Sequence, residues 1–142
     1  MDTKTTITVS AIVNAAIDKV WKYWTMPEHI TNWYFASDDW HAPRAVNDLK
    51  PNGNFLIRME AKDKSFGFDF EGIYDEVKIN ELITYTIGDG RKIKITFSSN
   101  GNSTEVIEIF DAENQNTLDQ QKSGWQSILD NFKKYVEKQI ID

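Results

Sequence analysis

The sequence predicts an α+β fold: a curved antiparallel sheet of six to seven strands gripping one long C-terminal helix, with two short helices after the first strand. Three observations carry this. A β-branched, period-two segment, TTITVSAIV, occupies residues 5–13. Between residues 39 and 112, alternating apolar segments are separated only by short turns, which makes successive strands antiparallel neighbours rather than parallel strands joined by helices. Residues 115–140 then change to helical spacing, with Leu118, Trp125, Ile128, Leu129, Phe132, Val136 and Ile140 on one stripe.

In chain order, Asn14 is placed to cap the helix AAIDKVWKYW, whose Ile17, Val20, Trp21 and Trp24 share a face. Thr25 with Glu28 reads as a capping box for a second helix, PEHITNWYF, with Pro27 in the first turn, where its missing N–H is harmless. DWHAPRAVNDL is a weak strand ending in the turn LKPNGN. On the next strand Phe55, Ile57 and Met59 alternate with Leu56, Arg58 and Glu60. In SFGFDFEGIYDEVKI, Phe66, Phe68 and Phe70 face one way, with Gly67, Asp69 and Glu71 opposite. LITYTI and KIKITFSS flank the hairpin signal GDGR, and SNGNS turns into TEVIEIFDA. Thr117 and Gln120 form a capping box for the last helix, which closes over the apolar face of the sheet. One such unit uses all 142 residues, so a single domain over 1–142 is expected.

Composition narrows the function. A net charge of -6 and the lack of a basic stripe argue against nucleic acid. With no cysteine there is no disulfide frame, thiolate nucleophile or cysteine zinc site. The polar, strand-like start MDTKTTITV predicts no secretory signal, and no run approaches the roughly 18 apolar residues of a membrane span. A cytoplasmic location without membrane insertion is expected.

Further residues carry a resemblance. Val20-Trp21, Thr25-Met26-Pro27-Glu28 and Trp33 stand in the opening helices, and Asp48 precedes the turn PNGN. Gly72, Tyr74, Glu76 and Val77 follow in GIYDEV, and Gly124, Trp125 and Leu129 in the last helix. In this order they resemble the SRPBCC superfamily (helix-grip, START-like), and within it the activators of heat-shock-protein-ninety ATPase homologues. The resemblance covers essentially the whole chain and implies the helix-grip fold. One departure is Asn52-Gly53-Asn54, where the group has Gly-Gly; asparagine tolerates positive φ, so the turn is expected to survive. The eukaryotic co-chaperones carry a separate chaperone-stimulating domain, for which one fold filling 142 residues leaves no room. Chaperone stimulation is therefore not expected to carry over.

Residues with chemistry are few. His29 and His41 are the only histidines and have no nucleophile motif beside them, and no HxH or HExxH spacing offers a metal site. The glycine turns precede strands, not helix N-termini, so they suit hairpins rather than phosphates, and no cofactor is expected. Glu108 has two open orientations: inward with Val106 and Phe110, or solvated with Ile107 and Ile109 inward. The inward one needs a partner, for which Arg58 and Arg91 are candidates.

The aromatic set is more suggestive. Trp33, Phe35, Trp40, Phe55, Phe68, Phe70, Tyr74, Tyr85, Phe97 and Trp125, with Glu108, are expected to line a cavity between sheet and helix. A pocket of roughly 300–1,000 Å³ would suit a flat or lipid-like molecule, as the resemblance also implies. Non-catalytic binding of a hydrophobic small molecule or lipid is the leading expectation, with Tyr85, Tyr74 or Glu108 orienting it. The alternative is a protein-interaction module with a chaperone partner. An enzyme would have to rest on Glu108 or His41, and no pattern demands one. The chain is compatible with a monomer or a homodimer.

Overall fold

Strand β1 (Thr6–Val13) is followed by two short helices, α1 (Ile17–Thr25) and α2 (Pro27–Ile30), in a computed structural model that describes residues 5–141. Six strands come next: β2 (Trp40–Asn47), β3 (Asn54–Ala61), β4 (Gly67–Lys78), β5 (Leu82–Ile87), β6 (Lys92–Asn100) and β7 (Ser103–Asp111). The chain ends in α3 (Leu118–Ile141). All seven strands form one sheet in the order β1-β7-β6-β5-β4-β3-β2, and every neighbouring pair is antiparallel. This is the helix-grip arrangement the sequence predicts. At the β2 edge, Pro43 and a register shift between His41 and Arg44 interrupt the ladder that another strand would need.

Strand alternation decides which face is buried. Phe55, Ile57 and Met59 on β3, Ile83, Tyr85 and Ile87 on β5, and Ile93, Ile95 and Phe97 on β6 all point inward. The helix α3 sets Leu129, Phe132 and Val136 against them. The Phe132 ring lies 4.8 Å from Trp24 and 4.6 Å from Trp33, so it joins the opening helices to the last one. The turn before β3 keeps the asparagine: Asn52 takes φ +69°. Gly53 beside it has no alternative, since a Cβ there would lie 2.1 Å from the Asp48 carbonyl oxygen.

Several local expectations fail where a tertiary partner wins. Asn14 does not cap α1: the N-cap is Ala16, and the Asn14 backbone N–H donates to Glu137 on α3 (2.9 Å). Thr25 does not cap α2 either. It is still inside α1, buried, and its hydroxyl donates to the Trp21 carbonyl (2.8 Å). The second helix is one turn rather than nine residues, because Asn32 Nδ2 takes the Glu28 carbonyl (2.7 Å) and the backbone tightens beyond it. The α3 capping box does form, with Gln120 N donating to Thr117 Oγ1 (3.1 Å) and Thr117 N to Gln120 Oε1 (3.0 Å). Leu118 is 50% exposed, so the apolar stripe starts later than predicted. Gln121 is buried instead, tied to the connecting loop through Glu113 and Asn116. The side chain of Ile140 lies outside the described residues.

Candidate functional site

The interior between α3 and the sheet holds a small cavity. Its wall includes Trp24 and Ile30 from the opening helices, Tyr34 from the segment after α2, and Asn47, Phe55, Ile57, Tyr74, Ile83 and Tyr85 from four strands. Its volume is about 30 Å³, room for about two waters. That corrects the expected pocket of several hundred Å³, because aromatic side chains fill the space. The polar groups at its wall are phenols and one amide. The Tyr74 hydroxyl donates to Asn47 Oδ1 (2.5 Å), and Asn47 Nδ2 donates to the Thr25 carbonyl (2.6 Å). The hydroxyls of Tyr34 and Tyr85 interact with each other, and burial pushes the ionisation of all three tyrosines well above the ordinary phenol range.

A second space lies outside. Phe70, Arg91, Glu113, Asn116, Gln120, Gln121, Gly124 and Trp125 line an open groove of about 460 Å³ at the start of α3. Phe70 is the partition between the two. On the inner side its ring lies 5.9 Å from Tyr34, 5.7 Å from Phe55 and 6.3 Å from Tyr85; on the outer side it lies 6.2 Å from Trp125. Trp125 in turn stacks on Phe110 at 4.0 Å. Gly124 keeps the groove wide, since a Cβ there would meet nothing within 4 Å. A helix-interior glycine costs about 1 kcal/mol relative to alanine, and no packing contact requires this one.

Glu108 stands behind the tyrosines. On β7 the inward parity is Thr104, Val106, Glu108 and Phe110, which settles its orientation: it is 5% exposed. Its cross-strand partners Val9 and Ile95 are apolar. Neither predicted arginine partner reaches it: Arg58 pairs with Glu60 (2.8 Å) and Asp69 (3.4 Å), and Arg91 with Asp89 (2.8 Å). Among the described residues no hydrogen bond holds its carboxyl group, and burial alone pushes its pKa up to about 8. The carboxyl is therefore mostly protonated at pH 7. Tyr34 and Tyr85 are the groups that feel its charge.

Residues 14–137 match the family described as activator of Hsp90 ATPase homologue 1-like protein. The chain belongs to this AHSA1-like family. The family is part of the SRPBCC superfamily. Two solved structures agree. An AHSA1-like protein from Aeromonas hydrophila has 40% identity and a TM-score of 0.91, with 97% of this chain and 96% of that one covered. The protein Chr148 from Cytophaga hutchinsonii has 53% identity and a TM-score of 0.79, covering 96% and 94%. SA2116 from Staphylococcus aureus, a protein of unknown function, has 17% identity and a TM-score of 0.74 over 98% of each chain, and shares the fold. No curated protein matches the chain.

On this AHSA1-like scaffold the predicted lining residues separate into four places. Phe55, Tyr74 and Tyr85 reach the inner cavity, and Phe70 and Trp125 the outer groove. Trp33 and Phe97 are packed in the solid core, against Trp24 and Phe132 and against Trp21 and Trp24 respectively. Phe35 lines a separate cleft with Asp130, Asn131 and Lys134 on the solvent side of α3. Trp40 and Phe68 join Phe66 in an aromatic patch at the far end of β4, with ring separations of 6.0 to 6.1 Å. Sequence reasoning missed Tyr34 and Asn47, since Tyr34 comes from an irregular segment and Asn47 from the last position of a weak strand. His29 accepts or donates at Tyr135 (2.8 Å) and His41 lies 3.7 Å from Glu60; neither lines the cavity or the groove. Among the described residues no group of three or more metal-ligating side chains converges, and no helix is long and apolar enough to cross a membrane.

Proposed function

We propose that this AHSA1-like protein binds a hydrophobic small molecule between α3 and the sheet, without catalysing a reaction on it. The observation that supports this most is the single aromatic layer, Phe70 against Trp125, between an open groove of about 460 Å³ and the tyrosine-lined interior. Displacing Phe70 joins the two spaces into one site of ligand size. A ligand that buries about 200 Å² of apolar surface gains roughly 5 kcal/mol from desolvation, enough to offset moving one ring. The hydroxyls of Tyr74 and Tyr85 and the Glu108 carboxyl then orient it.

Melting temperatures measured against a panel of fatty alcohols, fatty acids and flat aromatics test the reading. A ligand that binds the native state at a hundred times its dissociation constant adds about 2.7 kcal/mol of stability. Gly124→Leu fills the groove from a position with free space, so the shift is expected to vanish while the unliganded protein melts no lower. No shift with any compound would overturn the proposal.

A second reading, a partner-binding module, is favoured by the aromatic patch: Phe66 is 61% exposed and Phe68 39%. Binding to purified Hsp90 that Phe66→Ser abolishes and Gly124→Leu leaves intact would favour it.

A further inference from the structure

We propose that the inner end of this site selects an uncharged hydrogen-bonding group, a hydroxyl or a carbonyl, on an otherwise apolar ligand, and that Glu108 with Tyr34 and Tyr85 makes the selection against carboxylates. The inference rests on the binding reading above and names the ligand class for it.

The geometry carries it. Glu108 is a buried side chain with no hydrogen-bonding partner among the described residues, on a strand whose neighbouring inward positions are Val106 and Phe110. A valine or leucine would pack at this position without the penalty of an unpaired buried carboxyl group. The groups beside it are the phenols of Tyr34 and Tyr85, and both are buried. The flanking strands offer Val9 and Ile95, so no cation faces the cluster from either side.

A ligand carboxylate placed there would meet a carboxyl group and two phenols, with no positive charge to balance it. An alcohol or ketone meets complementary partners. A neutral carboxyl group offers one donor and free acceptor positions, and each phenol offers a donor and an acceptor. The raised pKa of Glu108 agrees, since it keeps the carboxyl group neutral at pH 7. The outer groove does not supply an alternative carboxylate anchor. Arg91 is engaged by Asp89 at 2.8 Å, and Glu113 stands on the same rim.

The test compares three probes of equal chain length, 1-decanol, 2-decanone and decanoate, by tryptophan-fluorescence titration at pH 7. The alcohol and the ketone are expected to bind about tenfold or more tightly than the acid, the scale of one buried hydrogen bond lost. Glu108→Gln keeps a donor and an acceptor and retains the preference. Glu108→Leu loses about tenfold in decanol affinity while melting no lower than the wild type, which separates lost recognition from lost folding. Decanoate binding as tightly as decanol would overturn the inference and leave the binding reading standing. Undiminished decanol affinity in Glu108→Leu would overturn it likewise. Failure of all three probes to bind would overturn both.

Discussion

Replacing Glu108 with glutamine isolates the cost of its buried carboxyl group. In the unfolded chain the group ionises near 4.5, and in the folded protein only at about 8. Between those values the folded state holds one proton more than the unfolded state, so stability falls as pH rises, by about 1.4 kcal/mol per pH unit. Below 4.5 both states are protonated and the penalty is absent; above 8 both are ionised and the full penalty, roughly 5 kcal/mol, is in place. At pH 7 it amounts to about 3 kcal/mol. Glutamine does not titrate, and its own burial cost is the same at every pH. Glu108→Gln should therefore gain on the wild type progressively from pH 5 to pH 8. Urea unfolding followed by tryptophan fluorescence at each pH measures both proteins. Parallel pH profiles would refute the reasoning, because they would mean that Glu108 ionises alike in the folded and unfolded chains.

Three other substitutions test the packing. Gly124→Ala should stabilise by about 0.5–1 kcal/mol, since the added methyl meets nothing and alanine favours the helix; a lower melting temperature would contradict that geometry. Gly72→Ala should destabilise by about 1–3 kcal/mol in urea unfolding, because its Cβ would lie 2.8 Å from the Thr86 carbonyl oxygen and 3.0 Å from the Phe55 ring. Tyr74→Phe removes the donor to Asn47 Oδ1 and should cost about 1–3 kcal/mol, with no change in the unfolding slope m.

Much of the fold was legible because strand period and turn chemistry are local. The alternation in FLIRME and KIKITF predicts the inward faces of β3 and β6, and the short turns predict antiparallel order. The capping box at Thr117 was readable for the same reason, since nothing else competes for its groups. Asn14 and Thr25 misled because a glutamate on α3 and a carbonyl in α1 are their real partners. The site was less legible. Phe97 and Phe55 have the same strand signature, yet one meets α1 in the solid core and the other faces the cavity. Only the placement of the helices separates them. The parity of β7 did offer Glu108 as inward, but the absence of a partner could be learned only from where Arg58 and Arg91 spend their charges.

The central claim, that an apolar molecule lodges between α3 and the sheet, is tested most directly by mapping aromatic and methyl NMR signals as decanol is added. Shifts should concentrate on Phe70, Trp125, Phe110 and Tyr85, on both sides of the partition, and leave Trp40 and Phe66 unmoved. Shifts confined to the Trp40–Phe66–Phe68 patch, or none at saturating decanol, would contradict it.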